Sequence, residues 1–509
     1  MNIFKRSFSV IIVLIVLIPA FVNCEQNLRL GSIDEPMTMD PAESWEDISS
    51  FYIMNIFDRL VDIDEDTLKI KPSLSTGWES NKEGTVWKFR LRKGVSFHDG
   101  SKFDADAVVF SFRRQMENKY KYGEFVLFKE VFPFLKSVSK TGKYEVEFVL
   151  NAPFFPFPST LSVDCASIIS PEAIKVKKEK FRESPVGTGP YRLAEWKKGK
   201  KVTLTANREY WKGNPGVDKF ISIFETKVDK LFDMFRNQQI DILTSFSLSK
   251  MVVFKGFPWV RYAFSPTLST SYIAFNMKNK YLKRLGVRKA INYLWNKDIL
   301  KFVFQDHVEP LCSLFPKGMS GYDCNLDKYP ISVEKALSLL KNEGLSRGFE
   351  LRFLILRSAD LQLPTVINFA RNLKKAGIKI KIIKAGDAEY NAKVSKGEYD
   401  LTFSGWIADY PDPFSIISPL FSKKLQSEGL ANFSTGENKD IVDMIEKVRR
   451  IKDPDEREKI YVRLNNLIVE RALLVPLYQN INLVLYNKRI GKLKIDRFGK
   501  IEIFNIGKK

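Results

Sequence analysis

Pro411 and Pro413 stand two residues apart at the end of Gly405-Trp406-Ile407-Ala408-Asp409-Tyr410-Pro411-Asp412-Pro413. Proline lacks a backbone N–H and fixes φ, so neither a regular helix nor a central strand can run through such a stretch. The segment 405–413 therefore reads as a shaped loop following a strand-like run at 399–404. It sets one carboxylate, Asp409, between Trp406 and Tyr410. An acid held near aromatic rings in a basic chain suits capture of a ligand ammonium, because the rings exclude water and strengthen the charge pair. An aspartate in a turn also caps its own backbone at a surface. The local residues leave both readings open.

The 509 residues suffice for about three domains. A composition of 44% hydrophobic and 28% charged residues is that of a globular chain rather than a disordered one. Lys5 and Arg6 precede a wholly apolar run at 10–18, well short of the roughly 20 residues a membrane-spanning helix needs. Residues 1–23 read as an export signal. Cys24, followed by Glu25-Gln26-Asn27, resembles a bacterial lipoprotein processing site, at which the cysteine is lipidated and becomes the new N-terminus. Plain signal-peptidase cleavage is the alternative.

An exported chain can hold disulfides. Cys312 and Cys324 flank a loop containing Pro316, Gly318 and Gly321, and their short separation favours them as partners, leaving Cys165 as a buried thiol. Three unpaired thiols is the competing reading. The net charge of +21 could serve nucleic acid. Export and the even spread of the lysines argue against that, and a surface compatible with anionic lipid headgroups, or compositional bias alone, accounts for it better.

Short β patterns alternate with amphipathic helices along the whole chain, without an internal repeat. Alternation and β propensity predict strands at 28–33, 86–91, 144–150, 202–206, 272–276, 349–356 and 378–383. Helical spacing predicts helices at 45–60, 104–116, 229–237, 287–294, 333–341, 365–376, 440–450 and 455–474. Asp104 serves as an N-cap and Gly377 as a helix stop. The fold class is α/β, a mixed α+β protein with mixed sheets.

Catalytic signatures are missing. The two histidines, His98 and His307, sit near neither a nucleophile elbow nor an HExxH pair. No region gathers three ligands for a catalytic zinc. Gly187-Thr188-Gly189 is followed by Pro190 and lacks the lysine and helix start of a phosphate loop. The expectation is a binding protein, not an enzyme, without metal or cofactor.

Several segments resemble the extracytoplasmic solute-binding proteins of oligopeptide and dipeptide ABC transporters. Trp87-Lys88-Phe89-Arg90-Leu91-Arg92-Lys93-Gly94-Val95-Ser96-Phe97-His98-Asp99-Gly100, continuing to Phe103, Ala107, Val108, Phe110 and Ser111, is similar to a family signature. So are Gly187-Thr188-Gly189-Pro190-Tyr191 with Trp196, Asn207 and Tyr210-Trp211; Tyr272-Ile273-Ala274-Phe275-Asn276 with Val287-Arg288-Lys289-Ala290-Ile291-Asn292; the segment 405–413; and Pro476-Leu477-Tyr478, similar to a late turn of the family.

The resemblance implies a two-lobed periplasmic-binding-protein fold with three domains and a hinged cleft. One lobe would combine 24–47, 185–266 and 477–509, a second domain would be inserted at 48–184, and 267–476 would form the other lobe. The signature around 87–111 would be architectural, with Gly94, Gly100, His98 and Asp99 shaping a turn. Asp409 would pair with a peptide α-ammonium, and Trp406, Gly405 and Tyr410 would line the cleft beside it. The ligand carboxylate would need a cation. Phe403 and Ser404 occupy the place where some relatives carry an arginine, and Arg357 lies near the place where dipeptide-binding relatives carry one. The implied partners are a peptide ligand, the permease and ATPase of an ABC importer, and the membrane through the N-terminal lipid. The implied state is a monomer held outside the cytoplasm.

Overall fold

The computed structural model describes residues 27–44, 46–117, 128, 131–244, 246, 251–305, 307–358, 362–421 and 438–507, leaving out the side chains of Val252 and Cys324. The signal at 1–23, the lipidation site Cys24, residue 45 of the first predicted helix and the Cys324 side chain lie outside what is described.

Alternating sequence and turn residues produce eighteen strands among the described residues. The first seven are β1 (Asn27–Ser32), β2 (Val61–Ile63), β3 (Ile70–Pro72), β4 (Ser75–Ser80), β5 (Val86–Leu91), β6 (Leu135–Gly142) and β7 (Glu145–Leu150). The middle of the chain adds β8 (Tyr191–Lys197), β9 (Lys201–Ala206), β10 (Lys219–Phe224), β11 (Ile242–Leu243), β12 (Val260–Pro266), β13 (Ser269–Phe275) and β14 (Val308–Pro310). The last are β15 (Phe349–Leu356), β16 (Ile378–Ala385), β17 (Leu401–Ile407) and β18 (Leu474–Asn487).

Strands β4-β5-β7-β6 form an antiparallel sheet of their own. The helix Ala105–Met116 packs on it, with Phe112 set edge-on against Phe148 at 4.9 Å between ring centres. Asp104 caps that helix by accepting the Asp106 N–H. Gly94 and Gly100 take φ of +79° and +84°, conformations open to glycine and costly for other residues.

The remaining large sheet runs β16-β15-β17-β13-β18-β11-β1-β10-β9-β8, with β12 and β14 also paired to β18. Its two halves meet at one crossing. The first part of β18 pairs with β13, from Ala274↔Leu474 to Ser271↔Tyr478, and the second part pairs with β12, from Pro266↔Ile481 to Val260↔Asn487. Between them, the Thr267 N–H donates to Asn480 O at 2.8 Å and Gln479 Nε2 donates to Thr267 O at 2.6 Å. The molecule is two-lobed, and β18 joins the two halves of the large sheet.

Beyond strands that the sequence pattern did not mark, such as β2, β3 and β8, four departures from the sequence expectation shape the site. The first helix ends at Ile56 rather than 60. Gly189 N–H takes the Ile56 carbonyl at 2.9 Å, and a Cβ on Gly187 would stand 2.1 Å from that oxygen. The Gly187-Thr188-Gly189 motif is therefore a site of close backbone approach. The last long helix is Pro454–Glu470, capped by Asp453 through the Asp455 and Glu456 N–H groups, and it stops four residues before the predicted 474. Pro476 lies within β18, not in a turn, where the register shifts between Ser271 and Tyr272 and no ladder donor is required. Gly405, Trp406 and Ile407 belong to β17, so the proline-bounded loop is shorter than 405–413.

Candidate functional site

Strands β15, β16 and β17 are mutually parallel, so their carboxyl ends share one edge. Such an edge is where open α/β sheets place ligands. The end of β17 leads into the Asp409 loop. On one side β17 pairs with β13 along its whole length, from Leu401↔Phe275 to Ile407↔Ser269. On the other side its pairing with β15 is limited to Leu401 and Thr402. Gly405 is required by the approach to β13: a Cβ there would lie 2.8 Å from Thr270 O. Trp406 is opposite Thr270, and its Nε1 and the Thr270 Oγ1 are buried without hydrogen-bond partners among the described residues.

The loop beyond β17 is pinned at both ends. The Ala408 N–H donates to Leu268 O at 2.9 Å. Asp412 is buried, and its Oδ1 accepts the Phe414 N–H at 2.9 Å and the Tyr461 hydroxyl at 2.6 Å. Burial raises the Asp412 carboxyl above its usual range, opposed by the nearby Arg457. The helix Phe414–Phe421 begins directly after Pro413. The turn-capping role thus belongs to Asp412.

Asp409 lies between these pins and lines a cavity of about 330 Å³. The opposite walls come from distant parts of the chain: Asn55 in the last turn of the first helix, Asp58 and Arg59 after it, the β2–β3 hairpin, Ser162 to Asp164, Tyr210 and Lys212, and the tail from Asp496 to Asn505. The buried Cys165 thiol is pushed up by desolvation first, then by Asp164 and Asp409. Tyr410 is 5% exposed and belongs to the core; burial, Asp412 and Asp409 raise its phenol well above the ordinary value. Arg357 is exposed one residue past β15, with its N–H on Ala385 O. Of the five residues expected to line the ligand site, Asp409 lines this cavity, whereas Gly405, Trp406, Tyr410 and Arg357 are not among its lining residues.

The cavity is densely charged, and most of its charges are committed. Asp58 accepts the Tyr210 hydroxyl, Trp211 Nε1 and Thr188 Oγ1. Arg59 pairs with Asp62 and Asp164, Lys212 with Asp62, Lys500 with Asp164, and Lys71 with Asp64. Burial, together with Asp496 and Glu502, pushes the Glu65 carboxyl up to about 7. Arg497 has no ion-pair partner among the described residues. These residues escaped sequence reasoning because no local pattern joins positions near 58, 164 and 497.

His98 has a different position. Its Nε2 bonds Gly189 O at 2.9 Å, joining the four-stranded-sheet region to the glycine motif, and burial lowers its pKa to about 4. Among the described residues no cluster of three or more His, Cys, Asp or Glu could hold a metal ion, and no helix is long and apolar enough to cross a membrane.

Comparison with known proteins places this geometry in context. Residues 69–428 match the family described as bacterial extracellular solute-binding proteins, family 5 Middle. A dipeptide-binding protein of Escherichia coli is 28% identical over 477 residues, covering 89% of this chain and 88% of that protein. Heme-binding protein A of Haemophilus influenzae is 27% identical over 503 residues, covering 94% and 90%. A solved ABC transporter-associated periplasmic binding protein of Helicobacter pylori, in complex with the peptide STSA, has a TM-score of 0.75 at 27% identity and covers 94% of this chain and 99% of its own. The family match spans more than half of the sequence and the relatives extend over nearly all of it: the chain belongs to the bacterial extracellular solute-binding proteins of family 5.

Proposed function

We propose that this protein captures peptides outside the cytoplasm and delivers them to the permease and ATPase of an ABC importer, with Asp409 receiving the peptide ammonium. The observation carrying this reading is the placement of Asp409 just beyond the carboxyl end of β17, in a cavity whose other walls come from the first helix and the residues after it, the β2–β3 region, 162–164, Tyr210, Lys212 and the tail 496–505. Beside it, the stretch of β17 beyond Thr402 has a strand partner on the β13 side alone among the described residues; Phe403 O takes the Tyr390 hydroxyl at 2.7 Å, so 405–407 is the stretch left for a ligand. An extended ligand can add there as a strand, gaining affinity from backbone hydrogen bonds without demanding particular side chains.

In this reading 24–47, 185–266 and 477–509 form one lobe, 48–184 an inserted domain and 267–476 the other lobe. The lobes close by rotation about the crossing near 267–268 and 479–480. Cys24 carries the lipid anchor, the protein works as a monomer, Cys312 and Cys324 are bridged, Gly405, Trp406 and Tyr410 support the ammonium site, and Arg357, exposed one residue past β15, is one candidate cation for the ligand carboxylate.

The relative named for heme favours a second cargo reading, heme in the same cleft. No histidine lines the cavity among the described residues, which removes one common iron ligand from that wall. Native mass spectrometry of freshly purified protein separates the two. Copurifying peptides support import of peptides; a copurifying porphyrin, with no peptide, refutes it.

A further inference from the structure

We propose that Arg497 binds the ligand's carboxylate, so that the cavity holds a short zwitterionic peptide by both ends; the assignment rests on the peptide reading above and extends it.

The placement comes from the crossing between lobes. Leu268 is fully buried; its N–H donates to Arg497 O at 2.7 Å and its carbonyl accepts the Ala408 N–H at 2.9 Å. The segments bearing Asp409 and Arg497 therefore flank Leu268 on opposite sides. Two strand spacings separate them, about 10 Å between backbones. Both residues line the same cavity. At about 3.3–3.6 Å per extended residue, this span suits two or three residues.

The guanidinium is held in place but not satisfied. Nη2 donates to Lys317 O at 2.6 Å, and the group rests on Gly318, where a Cβ would come within 2.8 Å of Nη2. Gly318 has φ +94°, so this close seat is built from glycine in the loop that Cys312 and Cys324 flank. The Arg497 Nε–H is buried with no partner among the described residues. A planar fork with donors to spare is matched to a carboxylate.

The charge inventory points the same way. Of the cations lining the cavity, Arg59, Lys71, Lys212 and Lys500 each have a carboxylate partner, and Arg497 has none among the described residues. Glu65, the acid whose charge acts on Arg497, makes no ion pair with it among the described residues, and burial pushes its carboxyl up to about 7; two further acids are engaged elsewhere. Asp496 turns its Oδ1 to the Phe498 and Lys500 N–H groups, and Asp164 is held by Arg59 and Lys500. Burial lowers the Arg497 pKa, opposed by Glu65 alone, a desolvation that an incoming anion would offset.

Competition native mass spectrometry tests the assignment with three equimolar tripeptide libraries: free acids, C-terminal amides and N-acetylated acids. Wild-type protein is expected to favour free acids over amides by at least about tenfold. Arg497→Gln is expected to weaken free-acid binding by about 30-fold or more and amide binding by less than about threefold, erasing the preference. A wild-type protein without the preference overturns the proposal. So does an R497Q protein that keeps it, or one that loses acids and amides equally, which would make Arg497 a latch between lobes. If R497Q does not fold, Arg497→Lys gives the same readout: an acid preference cut at least about threefold supports the fork, and an unchanged preference refutes it. Binding of acids and amides alike with rejection of N-acetylated peptides keeps Asp409 and refutes Arg497. Binding of none of the libraries refutes the peptide reading and this proposal together.

Discussion

Two aspartates three residues apart divide the work that sequence alone assigned to one. Asp412 is enclosed and satisfied by the Phe414 N–H and the Tyr461 hydroxyl, while Asp409 lines the cavity. Asp409→Asn keeps the shape and removes the charge. It is expected to leave the thermal midpoint nearly unchanged and to weaken binding of peptides with free amino termini by about 2–5 kcal/mol, the range for truncating one member of a desolvated pair. Isothermal calorimetry reads this directly, and unchanged affinity would remove Asp409 from the site. His98 makes a prediction about stability instead. Its pKa in the fold is about 4, below the ordinary 6.5. The unfolded chain therefore binds the proton first as pH falls. The stabilisation from a neutral His98 is present above pH 6.5 and is lost as pH drops towards 4. For a half-buried group the loss is on the order of 2 kcal/mol, and urea melts at pH 7 and 4.5 should show a smaller difference in His98→Gln than in wild type.

At the scale of elements, caps and close contacts decide where structure stops. Asp453 satisfies two N–H groups at the start of Pro454–Glu470, so Asp453→Ala should cost about 1 kcal/mol in urea unfolding. Gly187 is less forgiving, because a methyl there would meet Ile56 O at 2.1 Å, backbone that cannot rotate away. Gly187→Ala is expected to destabilise by about 3 kcal/mol or more, with a lowered denaturant midpoint and an unchanged m-value. The strand periods were legible: β5 and β15 lie at the residues their alternation predicts, and Gly377 ends its helix at φ +81°. The helix predicted to 60 was not stopped by any local signal. It was stopped by a glycine motif some 130 positions later, taking the Ile56 carbonyl.

At the scale of the whole molecule, the junction between the two halves of the large sheet rests on a buried amide. Gln479 is fully buried; its Oε1 accepts the Lys317 N–H at 3.1 Å and its Nε2 donates to Thr267 O at 2.6 Å. Gln479→Leu would take the partner from the buried Thr267 carbonyl and from the Lys317 N–H; it should destabilise by about 1–3 kcal/mol, measured by chemical denaturation, and alter ligand-induced compaction in small-angle scattering. Sequence by itself determined the class of fold, most of the described helices, fewer than half of the described strands, and Asp409 as the residue to watch. Those features follow from short-range physics: side-chain period, proline and glycine dihedrals, and N-caps act within a few residues. Tertiary structure alone decided that β18 joins two halves of one sheet, that Asp412 closes the loop while Asp409 lines the cavity, and that Arg497 reaches the same cavity. Each depends on hydrogen bonds and desolvation between segments tens to hundreds of residues apart. Periodicity carries no record of which distant chain will supply the partner, or leave a charge without one.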